Sequence, residues 1–90
     1  MPKVKFTSAL KRFFPTLTDT DVDAKTIQDV IQVLNLKYPG LSSYLVDDAG
    51  KLRQHVNVFI KEDLIHDREQ LTDSVKPQDE ILIFQALSGG

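Results

Sequence analysis

The residues best suited to chemistry are the last four of the chain, Leu87-Ser88-Gly89-Gly90. Without Cβ atoms, Gly89 and Gly90 can enter a narrow channel and adopt backbone angles closed to other residues. Four extended residues reach at most ~14 Å, and they follow an apolar strand pattern that would anchor them. We therefore expect the terminal carboxylate of Gly90 to be delivered into the active site of another protein. The alternative is a frayed tail or a fragment boundary.

A carboxylate is a poor electrophile and must be activated before it accepts sulfur or an amine. Activation as an acyl-adenylate consumes ATP, and the sequence contains no Gly-rich phosphate loop. If the tail is the working group, a partner enzyme must therefore bind the ATP. We expect the chain to be a protein co-substrate and not an enzyme, with no cofactor bound intrinsically.

Other candidate sites are weaker. His55 and His66 flank one predicted strand and have no ligand partners at metal-binding spacing. Asp47 and Asp48 supply only two hard ligands, which make a poor cation site, so we interpret them as solvated turn residues. Scattered serines do not define a nucleophile with its base. No metal site is expected.

The composition restricts the class of protein. The net charge of −2, from 13 acidic and 11 basic side chains, gives no strong electrostatic reason to bind nucleic acid or an anionic membrane. No apolar run approaches the ~20 residues of a membrane span. Cysteine is absent, so any sulfur handled here is not held on a protein thiol. We expect one domain without a signal peptide, in the cytoplasm, as a monomer that forms hetero-complexes.

The first third of the chain predicts a β-hairpin. Residues 4–7 alternate apolar and polar side chains, which indicates a half-buried strand. Residues 11–20 are typical of a loop, in which Phe13 and Phe14 either mark a contact surface or cover the end of the core. A second strand is expected over residues 20–24.

The clearest element is a helix. Thr26 and Asp29 stand at its N-cap and N3 positions, so the Thr26 hydroxyl can accept from the Asp29 amide. Pro39-Gly40 ends it, because proline disfavours helical geometry in the preceding residue. The apolar stripe at helical spacing comprises Ile27, Val30, Ile31, Leu34 and Tyr38.

The second half predicts two further strands. Residues 41–50 are a connection that ends in a turn at residues 47–50. A strand follows over residues 56–60, closed by a turn at Glu62-Asp63. Leu71 and Val75 then supply apolar anchors, and Pro77 suits the second position of a type I turn.

The last strand is predicted over residues 80–87, with Ile81 and Ile83 pointing inward and Leu82 and Phe84 on the opposite face. The order hairpin, helix, strand, short strand or turn, final strand predicts an α+β two-layer fold with one main helix across a mixed sheet. Composition does not establish that the first and last strands are parallel neighbours.

From Thr26 to Gly90 the chain resembles the ubiquitin-like sulfur carriers of the molybdopterin-synthase small-subunit and thiamine sulfur-carrier (MoaD/ThiS) family. Within that family it looks closest to the carriers that serve cysteine biosynthesis. The helix end Lys37-Tyr38-Pro39-Gly40 also fits. The segments that carry the resemblance are Leu52-Arg53, Val56-Asn57-Val58-Phe59-Ile60, Glu62-Asp63, Leu71, Val75, Asp79-Glu80-Ile81 and Ala86-Leu87-Ser88-Gly89-Gly90.

The resemblance implies a ubiquitin-like β-grasp domain over residues 1–86 and a flexible diglycine tail over residues 87–90. It implies that an E1-like adenylating enzyme uses ATP to adenylate the Gly90 carboxylate, and that a sulfur donor converts it to a thiocarboxylate. A sulfur-accepting biosynthetic enzyme would then take the sulfur. Gly89 would give the tail its flexibility.

The resemblance also implies docking on these partners through an apolar sheet surface near the tail. The strand parity agrees, because three of these side chains fall on the outward face; the alternative is that another segment covers them. The partner-binding residues would be Phe59, Leu82, Phe84, Leu87 and Ser88.

Two positions depart from the family pattern. Gln85 stands where a proline is usual, which changes the rigidity of the strand end close to the tail. Pro77-Gln78 stands where Asp-Gly is frequent, a turn-for-turn exchange of little consequence.

Three classes of function stay open at this point. A sulfur carrier predicts a thiocarboxylate on Gly90, a protein modifier predicts isopeptide bonds from Gly90 to lysines, and an interaction domain predicts no effect of deleting Gly89-Gly90. Family likeness favours the carrier. The acceptor could belong to cysteine, molybdopterin or thiamine biosynthesis or to tRNA thiolation.

Overall fold

The computed structural model describes residues 1–85. No helix in this part of the chain is long and apolar enough to cross a membrane. Five strands and three helices follow one another along it. In chain order they are β1 (Lys3–Phe6), α1 (Ser8–Lys11), β2 (Thr20–Asp21), α2 (Ile27–Lys37), α3 (Ser42–Leu45), β3 (Val56–Ile60), β4 (Asp63–Leu64) and β5 (Glu80–Gln85).

The five strands form one mixed sheet in the order β2-β1-β5-β3-β4. β1 and β5 pair in parallel at its centre, with Val4 opposite Ile81, whereas the other three pairs are antiparallel. A parallel pair needs a crossover connection, and α2 lies within the connection between these two strands. The predicted α+β fold, with one main helix on a mixed sheet, is confirmed, and so is the parallel pairing that the family resemblance implied.

The main helix forms as its sequence predicts. Thr26 is the N-cap, and its Oγ1 accepts a hydrogen bond of 3.2 Å from the Asp29 amide. The last helical residue is Lys37, after which Gly40 takes a φ of +93°. The Asn35 Oδ1 accepts from the Gly40 amide at 3.1 Å, which satisfies a backbone donor in the turn after the helix.

The core lies between α2 and one face of the sheet. The helix contributes Ile27, Val30, Ile31 and Leu34, all buried. The central strands contribute alternate residues, which are equally buried: Val4, Phe6, Val56, Val58, Ile81 and Ile83. Each fully buried side chain of this size contributes about 1.5–3 kcal/mol, so this packing is the main stabilising contribution. The predicted anchors Leu71 and Val75 join the same cluster.

Two short helices were not predicted. α1 lies between the predicted first strand and the predicted loop, of which it includes only Lys11, and it buries Ala9 and Leu10. α3 lies inside the predicted 41–50 connection and buries Leu45. Four residues are too few to show a helical period, and helices this short form because tertiary packing holds them.

Two strand boundaries also differ from the prediction. β2 ends at Asp21, not at residue 24, because the chain then leaves the sheet and pairs elsewhere: the Val75 amide donates to the Lys25 carbonyl at 2.8 Å. The turn after β3 consists of residues 61–62, because Asp63 already pairs with Ile60.

The predicted turn before the last strand is confirmed. The Asp79 amide donates to the Lys76 carbonyl at 3.0 Å, with Pro77 at the second position. Of the two loop aromatics, Phe14 packs against the core. Phe13 is 55% exposed, so only Phe13 can serve as a contact surface.

The loop between β4 and β5 is organised by a carboxylate. Asp67 accepts from the amides of Glu69, Gln70 and Thr72 and, at 2.6 Å, from the Thr72 hydroxyl. These donors favour the charged form, with the Gln70 amide first and the Thr72 hydroxyl second. They lower the pKa of Asp67 from 3.8 to about 2.

We expect Asp67→Asn to be less stable than the wild type at neutral pH. Since the pKa in the folded state lies below that in the unfolded state, the stabilisation is complete above pH ~4 and is lost as the pH falls towards ~2. The difference in urea midpoint between the two proteins should therefore shrink across that interval. The exposed turn variant Asp48→Asn is the control, and a constant difference for Asp67→Asn from pH ~7 to ~2 would contradict the assignment.

Candidate functional site

The sheet face turned away from α2 carries the predicted outward side chains. Phe59 and Leu82 lie directly opposite each other in the antiparallel β3–β5 pair, close enough to pack. Both are half-buried. Phe84, two residues further along β5, is 39% exposed and lies opposite Asn57.

Leu64 extends this surface and was missed by the sequence reasoning. It lies opposite Phe59 in the β3–β4 pair and is 51% exposed. Leu82, Phe59 and Leu64 therefore form a row across three adjacent strands. Leu64 lies on the same face as Phe59 because the turn consists of residues 61–62. The sequence indicated a turn one residue later, so it did not predict which face Leu64 occupies. We call Phe59, Leu64, Leu82 and Phe84 the outer apolar surface.

Two of the four residues of the outer apolar surface, Leu64 and Phe84, keep half and two-fifths of their area accessible, so no segment within residues 1–85 covers this part of it. Scattered single apolar residues on a protein surface need no explanation, but a contiguous group on a sheet face is typical of an interface.

The base of the tail is held on both sides. The Gln85 amide donates to the Thr7 Oγ1 at 3.4 Å, and the Gln85 Nε2 lies 3.3 Å from the His55 Nε2. A proline at this position has no N–H to donate. Gln85 therefore ties the end of β5 to the end of β1 by a contact that the usual family residue would lack.

The predicted tail residues Leu87, Ser88, Gly89 and Gly90 lie outside the described residues, as does the predicted boundary between residues 1–86 and 87–90. What the structure does place is the strand from which they continue.

The residues considered for metal binding are dispersed. Within residues 1–85 there is no group of three or more His, Asp or Glu side chains placed to hold a metal ion. Asp47 instead organises its own turn, where its Oδ1 accepts from the amides of Ala49 and Lys51. His66 is exposed, and its amide donates to Asp73.

A family model for the ThiS family matches residues 4–90 of the chain. The chain belongs to the ThiS family. The match includes the β-grasp domain, the outer apolar surface and the terminal diglycine. A search of curated protein sequences gives no significant match.

Three solved structures share the fold of this ThiS-family protein over nearly their full length. A chain from the BexX/CysO complex of Amycolatopsis orientalis is 20% identical, covers 100% of both chains and has a TM-score of 0.85. CysO from Mycobacterium tuberculosis is 22% identical over 97% of this chain and 100% of its own, with a TM-score of 0.82. SAMP1 from Haloferax volcanii is 27% identical over 99% and 98%, with a TM-score of 0.77.

The predicted ubiquitin-like β-grasp fold and the predicted family are thus confirmed. At the level of the family, this ThiS-family protein belongs with the small ubiquitin-like sulfur carriers and modifiers.

Arg68 closes the free edge of β3 beside the outer apolar surface. Its Nη2 donates to the carbonyls of Arg53 and Val56, both at 2.8 Å, and its Nη1 donates to the Asn57 Oδ1 at 3.1 Å. β4 is too short to pair with this part of β3, so the guanidinium satisfies backbone groups that a neighbouring strand would otherwise bind.

A salt bridge borders the outer apolar surface on the β1 side. The Lys5 Nζ lies 2.8 Å from the Glu80 Oε1. Their hydrogen bond raises the pKa of Lys5 and lowers that of Glu80. Both side chains are about half exposed, so water screens the pair and it adds little stability. Leu82 lies opposite Lys5 in the β1–β5 register. The salt bridge therefore places charged groups next to Leu82.

We expect Arg68→Met to lower the free energy of unfolding by about 1–3 kcal/mol, because partly buried carbonyl groups lose their charged donor. Chemical denaturation monitored by circular dichroism measures it. The exposed Arg12→Met carries the same change of side chain without these three bonds and should shift stability by less than ~0.5 kcal/mol. Equal effects of the two substitutions would refute the bracing role of Arg68.

Proposed function

We propose that this ThiS-family protein is a sulfur carrier that holds sulfur as a thiocarboxylate on Gly90. The family match carries the proposal, because it runs to residue 90 and so includes the diglycine. The fixed base of the tail supports it. Gln85 ends a central strand and is bound to Thr7, so a tail of a few residues has a defined starting point from which to enter a partner.

The proposed chemistry has two steps. A Gly90 carboxylate oxygen attacks the α-phosphorus of ATP, and pyrophosphate leaves, which gives an acyl-adenylate. A sulfide-level sulfur nucleophile then attacks the acyl carbon and displaces AMP, so the carboxylate becomes a thiocarboxylate with no change of oxidation state. The partner activating enzyme supplies the ATP site, and the reaction takes place in the cytoplasm.

Partners would bind the outer apolar surface together with Leu87 and Ser88. The exposure of Leu64 and Phe84 supports this step. One structural neighbour belongs to a complex of two proteins, BexX and CysO, which agrees with hetero-complexes as the working state. The expected partners are an E1-like adenylating enzyme, a sulfur donor and a sulfur-accepting biosynthetic enzyme, cysteine biosynthesis being the first pathway to test.

A second candidate function is protein modification through Gly90. One structural neighbour is SAMP1. A second structure from the same organism, 25% identical to this chain, is described as small archaeal modifier protein 1. The two functions share the acyl-adenylate and differ in the nucleophile that follows, a sulfide in one and a lysine amine in the other.

We expect the protein isolated from its native cell to include a form about 16 Da heavier, from exchange of a terminal carboxylate oxygen for sulfur. Intact mass spectrometry under non-reducing conditions detects it. C-terminal fragmentation must place the added mass on Gly90, since oxidation of Met1 gives a nearly equal shift.

The control is the variant that lacks Gly89-Gly90, which should show no such form. Gly90 found in isopeptide linkage to lysines would favour the modifier function. An unmodified carboxylate, even after incubation with ATP, a sulfide donor and the organism's adenylating enzyme, would refute the carrier function.

The double variant Leu64→Ser/Phe84→Ser should bind the adenylating enzyme at least ~10-fold more weakly, because the complex would no longer bury the apolar area of two large side chains, which stabilises by ~25 cal/mol per Å². Isothermal titration calorimetry measures the affinity. Leu36→Ser is the matched control: Leu36 is 81% exposed but lies on α2, on the other side of the sheet. An equal loss from both variants, or from neither, would remove the outer apolar surface as the docking site.

A further inference from the structure

Acidic side chains are unevenly distributed along the chain. The whole chain has a net charge of −2. Residues 7–18, 30–46 and 49–57 nevertheless contain no Asp or Glu, although they carry Lys11, Arg12 and other cations. Residues 81–90 contain no acidic side chain either. The acidic side chains therefore fall in the remaining segments.

The fold brings the first part of these acid-free segments to the base of the tail. Gln85 is bound to Thr7, and α1 begins at the next residue and ends at Lys11. Lys11 and Arg12 are exposed. On the other side, His55 lies against Gln85.

A second set of contacts closes this end of the domain. The Phe13 ring stacks on Tyr44, with the ring centroids 4.9 Å apart. The Ser43 carbonyl, next in sequence to Tyr44, accepts from the Arg53 Nε at 2.9 Å. We call the side chains that these segments bring to the tail base the tail collar: Lys11, Arg12, Phe13, Tyr44, Arg53 and His55.

Two acidic residues near Arg53 have partners of their own. Asp47 binds the amides of its own turn, and Glu69 lies 3.8 Å from the Lys51 Nζ. Lys11, Arg12 and Arg53 take part in no salt bridge within residues 1–85. Lys11 and Arg12 are also exposed, so their charge is accessible to a partner that approaches the base of the tail.

We propose that the tail collar is a second docking surface, which binds an acidic rim around the tail-binding channel of the activating enzyme. The inference rests on the proposed function and deepens it. A protein partner suits the composition, because arginine with exposed aromatic side chains is typical of the strongest contacts between proteins. The collar is distinct from the outer apolar surface, which lies on the sheet face and whose neighbouring cation, Lys5, is paired with Glu80.

The physical role of such a collar is orientation. Both the tail carboxylate and the ATP it must reach are negative, so their approach is electrostatically unfavourable. A positive ring at the base of the tail that faces an acidic rim compensates for this repulsion. It turns the correct end of the domain towards the channel before contact is made and raises the rate of association.

The test is adenylation of the full-length protein by the adenylating enzyme of the same organism, followed as ATP–pyrophosphate exchange at ~25 and ~300 mM salt. Lys11→Glu/Arg12→Glu should lower kcat/KM about tenfold at low salt, and the loss should shrink at high salt because screening weakens charge pairs. Lys11→Gln/Arg12→Gln should give a smaller loss in the same direction.

The matched control is Lys25→Glu/Lys76→Glu, which makes the same change of net charge at two exposed lysines at the opposite end of the domain. Its kcat/KM for adenylation should stay within about twofold of the wild-type value. Thermal unfolding of each variant shows that the fold is intact, and the Gln pair provides the answer if the Glu pair does not fold.

The outcomes separate the two proposals. If the wild type is adenylated and both charge-reversed pairs behave alike, the collar is refuted while the carrier function stands. If the wild type is never adenylated, both the collar and the carrier function are refuted. If the wild type instead binds tRNA at ~150 mM salt and the collar pair abolishes that binding, the collar serves nucleic acid and the proposal is overturned.

Discussion

Because β1 and β5 run in parallel at the centre of the sheet, the carboxyl ends of both strands lie at the same end of the domain. The chain beyond Gln85 therefore continues from beside Thr7. The pairing joins the first strand to the last and so fixes the final strand between two neighbours. A central strand is held by hydrogen bonds on both sides, which an edge strand lacks. The position of the tail base is therefore set by the most constrained part of the sheet.

The same sheet serves two purposes through its two faces. One face is covered by α2 and provides the stabilising burial, with Val58 and Ile83 paired at its centre. The other face is not covered by α2, so its apolar side chains are available for contacts outside the domain. A period-2 alternation in β3 and β5 produces both surfaces at once, because consecutive side chains of a strand point to opposite faces.

The end of the domain near the tail differs from the sheet face in chemistry. The outer apolar surface offers leucine and phenylalanine, whereas the collar offers cations around a stacked aromatic pair, Phe13 and Tyr44. Apolar burial mainly determines how tightly two proteins hold each other, and charge mainly determines how fast and in which orientation they meet. A carrier of the kind we propose, which would deliver one tail to several enzymes, would use both.

The sequence by itself determined the elements with a strong local signal. The capped helix after Thr26, the alternating strands β3 and β5 and the turn at Pro77 were all predictable, because capping, periodicity and proline geometry act over a few residues. Family likeness added the parallel pairing. Only the tertiary structure decided the short helices α1 and α3, the register that puts Leu64 beside Phe59, and the collar, whose contacts join residues 10 to 78 positions apart. These features depend on packing between distant segments, for which a local pattern contains no signal.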